Sequence, residues 1–86
     1  MRIVYTLFVR HEVYQSLRSI RNRDRDRILG FIESLAVNPF AEGDYRELDS
    51  TGRSCQVRVV GEFAVYYWPD HAEKEIWIVD LIETSG

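Results

Sequence analysis

Asn38-Pro39 divides this chain into two halves with different hydrophobic periods, and that division constrains the fold more than any other feature. Proline disfavours helical geometry at the residue before it, so a helix ends there. Upstream, Ile28, Phe31, Ile32 and Leu35 recur at helical spacing, as do Val13, Leu17 and Ile20 with Tyr14 beside them. Downstream, "SCQVRVV", "FAVYYW" and "EIWIVDLI" are runs of β-branched and aromatic residues, the composition of strands. Gly61-Glu62 makes a tight turn after the first run, and Pro69-Asp70 with "HAEK" turns the chain after the second.

Before the helices, residues 2–8, "RIVYTLF", read as a strand without a breaker. Residues 10–21 read as the first helix, and the second runs to about Ala36. Between them "NRDRDR" is a polar corner, where Asn22 or Asp24 could cap the helix that follows. Residues 41–53 hold Gly43 and Gly52 among polar residues and read as a loop. The order is therefore β-α-α-β-β-β in a single domain over residues 1–86. An α+β architecture follows, with a helical hairpin packed on one face of a small, mostly antiparallel sheet and the other face partly open.

Strand alternation sorts the side chains between the two faces. Phe63, Val65 and Tyr67 share one face of their strand, and Ala64, Tyr66 and Trp68 share the other. In the preceding strand Cys55, Val57 and Val59 oppose Gln56 and Arg58. Assigning the all-apolar sets to the helices leaves Gln56, Arg58, Ala64, Tyr66 and Trp68 on the open face. The last strand is apolar on both sides, with Asp80 as its odd member, available to an arginine.

The net charge of −3 and pI near 5.3 argue against avid nonspecific nucleic-acid binding. Ten of the eleven basic residues are arginine, and seven of those lie between Arg2 and Arg27, so a local basic face is compatible with the negative total. Around the helix corner, Asp24 and Asp26 interleave with Arg21, Arg23, Arg25 and Arg27 and read as a salt-bridged, solvated surface. No apolar run is long enough to span a membrane, and no signal-peptide pattern opens the chain. The single Cys55 has no internal disulfide partner, which fits a reducing cytoplasm. His11 and His71 are far apart and no Cys/His spacing suggests a metal. No nucleophile elbow, phosphate-cradling glycine loop or other cofactor motif is present.

At "LAVNPF" and "QVRVVGEFAVYYWPD" the sequence resembles the RelE/ParE superfamily of toxins from bacterial type II toxin–antitoxin systems. The first segment is similar to that family's Leu-x-x-Asn-Pro helix end. The second is similar to its strand pair, with Arg58, Gly61, Phe63, Val65 and Tyr67 on matching types. The resemblance covers nearly the whole chain and implies a RelE/ParE toxin-like fold, a cognate antitoxin as partner, and one of two targets. RelE-like members are mRNA interferases that cut mRNA on the ribosome and so inhibit translation; ParE-like members inhibit DNA gyrase without cutting RNA. A homodimer and a toxin–antitoxin hetero-oligomer are both compatible with it. The family arginine that opens the second strand is Ala64 here, the preceding basic pair falls on Gln56 and Arg58, and the terminal basic residue and tyrosine have no counterparts. Enzymatic activity is thus open between a ribosome-dependent endoribonuclease and a catalytically weakened homologue that mainly binds an antitoxin.

For the nuclease, Arg58 is the candidate phosphate clamp, since guanidinium binds phosphate oxygens bidentately. Tyr66 is the candidate for base stacking or proton transfer. Arg46, Arg53, Gln56 and Trp68 are candidate RNA contacts. Each also has an ordinary reading, as a surface ion pair, a half-buried strand aromatic or a solvated loop charge.

Overall fold

The computed structural model describes residues 4–49 and 51–84. Seven elements follow one another: β1 (Thr6–Val9), α1 (His11–Ser19), α2 (Asn22–Val37), β2 (Tyr45–Leu48), β3 (Ser54–Val60), β4 (Phe63–Asp70) and β5 (Glu75–Glu83). They form one five-stranded sheet in the order β1-β5-β4-β3-β2. All its pairs are antiparallel except β1 with β5. The α+β reading therefore holds, with one addition: the segment 41–53 expected as a loop contains β2. Its residues are all exposed and include no apolar run, which is why composition gave no strand signal. The first strand forms over Thr6–Val9 rather than 2–8, and residues 1–3 lie outside the described residues.

The helices cover one face of the sheet. Val13 and Leu17 of α1 and Ile28, Ile32 and Leu35 of α2 form a core with Tyr5, Phe63, Val65, Tyr67, Ile76 and Ile78. The helical stripe was read correctly, but the corner was not. Asn22 begins α2, the N-cap is Arg21, and no side chain caps it. Arg25 ties the corner instead. Its guanidinium donates to the carbonyls of Leu17 at 2.7 Å and Ile20 at 3.0 Å and to Asn22 Oδ1 at 2.8 Å, satisfying acceptors that the end of α1 leaves open. Among the described residues neither Asp24 nor Asp26 forms an ion pair with these arginines, so the corner is held by carbonyl contacts rather than salt bridges.

Register decides which side chains share a face. The two-residue turn Gly61-Glu62 sets Val60 opposite Phe63, and each later pair follows: Val59 with Ala64, Arg58 with Val65, Val57 with Tyr66, Gln56 with Tyr67. Gly61 has φ +62°, a conformation glycine takes without a Cβ penalty. Directly opposed residues lie on the same side of a sheet. Arg58 and Gln56 therefore fall on the helix-bearing side with Val65 and Tyr67. Cys55, Val57 and Val59 fall on the open side with Ala64 and Tyr66. The expected sorting of β3 was inverted, because alternation defines two sets without saying which set faces the helices.

The open face carries a small core of its own: Cys55, Val57, Ala64, Tyr66 and Val79 are buried, with Trp68 and Trp77 packed against them. Val79 is the extra residue of a bulge in β5, where the pairing steps from Tyr66↔Asp80 to Tyr67↔Ile78.

β2 docks through a close backbone approach. A Cβ on Gly43 would lie 2.5 Å from the Val57 carbonyl oxygen. The Gly43 amide donates to Gln56 Oε1 at 2.9 Å, and the Asp44 amide donates to the Val57 carbonyl at 2.7 Å. The clash would be with backbone, which cannot rotate away. Gly43→Ala is expected to cost about 1–3 kcal/mol, as overpacking does, read as a lower urea midpoint in equilibrium unfolding. An unchanged midpoint would mean that β2 shifts without penalty.

Candidate functional site

β4 is buried from Phe63 to Tyr67 on both faces, so its open-face side chains are fixed by packing as well as by the ladder. Tyr66 is 9% exposed. Its phenol donates to Glu47 Oε2 on β2. Glu47 lies on the same side because Tyr45 pairs with Val57, and Glu47 with Cys55. This bond is the largest of several effects that push the Tyr66 phenol up to about 12; burial comes next, then the charge of Glu47 and the nearness of Tyr45 and Asp80. The phenol therefore keeps its proton in neutral solution. It can donate a hydrogen bond or a proton, and it is no base.

Beside this pair runs a row of aromatic rings. Phe8 of β1 stacks on Trp77 of β5, with centroids 4.5 Å apart and planes at 13°. Trp77 is opposite Trp68 of β4 in the register. Arg53, just before β3, lays its guanidinium 4.0 Å from the centre of the Trp68 ring. That is a cation–π contact, and it holds the charge flat on the open face. Arg53 is oriented by the turn it closes: Asp49 Oδ1 accepts from the Arg53 amide at 2.9 Å and from the amide and hydroxyl of Thr51 at 2.8 and 2.6 Å. These donors hold the Asp49 carboxyl down to about 2, the Thr51 hydroxyl foremost.

Of the six residues singled out in the sequence, the fold brings three together on the open face: Tyr66, Arg53 and Trp68. The other three lie on the opposite side. Arg46 is opposite Gln56, Gln56 accepts from Gly43, and Arg58 sits with its guanidinium 5.8 Å from the Phe31 ring of α2. Arg58 and Tyr66 thus cannot act on one atom from opposite faces of a sheet. Glu47, Phe8 and Trp77 belong to the open-face set and were missed. The signal for Glu47 was the alternation of "YREL", hidden inside an apparent loop. Trp77 was undecided because both sides of its strand are apolar. Among the described residues no group of three or more His, Cys, Asp or Glu could hold a metal, and no helix is long and apolar enough to cross a membrane.

Neither a protein-family model nor a curated relative matches the sequence. Solved structures do match the fold. The archaeal RelE–RelB complex from Pyrococcus horikoshii OT3 matches with a TM-score of 0.79 at 19% identity, over 95% of this chain and 97% of that one. The fold is RelE-like. The toxin–antitoxin complex RelBE2 from Mycobacterium tuberculosis matches with a TM-score of 0.76 at 15% identity, over 99% and 98% of the two chains. At these identities the likeness is one of backbone. It agrees with the resemblance read from "LAVNPF" and the β3–β4 hairpin.

The Tyr66–Glu47 pair makes a prediction of its own. Glu47→Gln removes the carboxylate, so the Tyr66 phenol should fall from about 12 toward its ordinary 10.0, measured by NMR titration of the Tyr66 Cζ resonance. The sign for stability follows. The folded value is raised, so the stabilisation by the neutral pair is complete below pH 10 and is lost as pH rises through about 12. A Tyr66 titration unmoved by Glu47→Gln would assign the shift to burial instead.

Proposed function

We propose that this protein is the toxin of a toxin–antitoxin pair and that it inhibits translation by cutting mRNA on the ribosome. The observation that carries this reading is the Tyr66–Glu47 pair set beside an aromatic, arginine-bearing sheet face. The RelE-like fold supports it, since both matching structures are toxin–antitoxin complexes.

Bases of a single RNA strand stack on aromatic rings at about 1–3 kcal/mol per base, and every base offers a face for it. Trp68, Trp77 and Phe8 offer such surfaces, and Arg53 brings the positive charge a phosphate needs. In this reading Arg53 takes the clamping role first given to Arg58. Cleavage proceeds by attack of a ribose 2′-oxygen on the adjacent phosphorus. Glu47 accepts the 2′-hydroxyl proton, Tyr66 gives its proton to the departing 5′-oxygen, and the Tyr66–Glu47 bond returns a proton to the phenolate. A 2′,3′-cyclic phosphate and a 5′-hydroxyl result. The ribosome supplies alignment of the strand, so a sparse set of protein groups suffices.

The antitoxin would cover the apolar side chains left exposed beside this site. Val59 and Ile82 flank buried Ala64 in a row across β3, β4 and β5 and are 41% and 43% exposed, with Tyr45 45% exposed. An amphipathic helix laid there would bury them and block RNA at the same time. A second reading, inhibition by binding alone with gyrase as target, is favoured by the carboxylates Glu47, Glu75 and Asp80 on or near the open face, which oppose phosphate.

A purified translation reaction with primer extension on the mRNA separates the two. Ribosome-dependent cuts are expected, falling about 100-fold or more in Tyr66→Phe and Glu47→Gln and persisting in Arg58→Ala. Intact mRNA with translation uninhibited would overturn the nuclease reading and turn the search to gyrase or to antitoxin binding.

A further inference from the structure

At the end of the sheet away from the Gly61-Glu62 turn lies a recess of about 300 Å³, lined by residues of both sides, with Arg46 and Gln56 from the helix-bearing side and Cys55 and Trp68 from the open side. Arg46, Ser54, Gln56 and His71 supply its polar lining. No carboxylate lines it. That is unusual in a chain of net charge −3, and the larger cleft at the helix corner shows the contrast: there Arg21, Arg23 and Arg27 share the walls with Asp24, Glu62 and Glu83. Cys55 also borders the recess, but its thiol is pushed up to about 11, by burial first and then by the charge of Asp49, so it stays neutral.

The donors here are positioned and unspent. Arg46 takes part in no ion pair among the described residues. Gln56 gives its Oε1 to the Gly43 amide at 2.9 Å, which leaves its NH₂ group to donate. His71 is held from two directions: Nδ1 is 2.8 Å from the hydroxyl of buried Tyr5, and Phe40 stacks on the ring at 4.4 Å and 8°. Nε2 remains for a ligand. Phe40 itself is 72% exposed and offers its outer face for stacking.

We propose that this recess binds a phosphomonoester, with Arg46 as the charge partner and Ser54, Gln56 and His71 as hydrogen-bond donors. Guanidinium matches two phosphate oxygens at once, and a volume of this size admits the phosphate with its attached ribose. The ligand is a free mononucleotide or the 5′-phosphate end of an RNA, and binding here does not require the cleavage chemistry proposed for Tyr66 and Glu47.

The test is calorimetry and amide NMR on the whole chain with three probes: inorganic phosphate, adenosine 5′-monophosphate, and one short oligoribonucleotide made with a 5′-phosphate and with a 5′-hydroxyl. Phosphate and the mononucleotide are expected to shift the amides of Ser54 and Gln56 and the His71 ring. Arg46→Gln, at an exposed position that leaves the core intact, should weaken binding about tenfold or more. Arg23→Gln, in the mixed-charge cleft, should change it less than about twofold. Preference for the 5′-phosphorylated oligonucleotide over its 5′-hydroxyl form identifies an RNA end as the ligand; equal binding of the two forms with retained mononucleotide binding identifies the free nucleotide. The proposal is overturned by the absence of shifts at about 10 mM phosphate or mononucleotide, a level above ordinary millimolar binding. Equal weakening by Arg46→Gln and Arg23→Gln would overturn it too.

Discussion

A strand buried on both faces needs two covers, and this chain has helices for only one. β4 is the central strand of the sheet, with β5 on one side and β3 on the other, and its residues from Phe63 to Tyr67 are buried on either side of the pleat. The helices roof Phe63, Val65 and Tyr67. Over Ala64 and Tyr66 the roof is made of side chains: the tryptophans, Arg53 on Trp68, and Glu47 reaching from β2. Apolar burial is the dominant favourable term in folding, so the open face is drawn into the core as far as its side chains allow. The candidate site is this improvised roof, and its residues are where they are because β4 needs them.

That origin explains what could be read in advance. The helices were legible because a 3.6-residue apolar stripe is an unambiguous instruction. The β3–β4 hairpin and β5 were legible as runs of β-branched and aromatic residues. β2 was not, since an edge strand with four exposed residues carries no hydrophobic pattern, and its docking depends on the missing Cβ of Gly43 and on polar contacts from Gln56 and Tyr66 that no local pattern announces. The cap of α2 was misread for a related reason: Arg25 satisfies the corner from inside the next helix, a contact that no local motif announces.

The inversion of β3 is more instructive. Alternation separated Gln56 and Arg58 from Cys55, Val57 and Val59, and hydrophobicity then sent the wrong set to the helices. The turn held the answer. With Gly61 and Glu62 as the only unpaired residues, Val57 must stand opposite Tyr66 and Arg58 opposite Val65, because hairpin register follows loop length. A slip of one residue would have kept every element and exchanged every face. Tyr66, Trp68 and Arg53 came together as candidates; Glu47, Phe8 and Trp77 joined them only once register was known.

The parallel pairing of β1 with β5 has a consequence for how the molecule comes into being. The strand at the start of the chain completes its ladder only against the last strand, with nearly the whole sequence between them. Closing so long a loop comes late in folding, and in synthesis β5 is made after the other six elements. The aromatic row spans this same junction, since Phe8 meets Trp77 across it. A nascent chain can therefore assemble its helices and its central hairpin while the stacking surface is still incomplete, and that surface first exists once β5 has been made and has paired with β1.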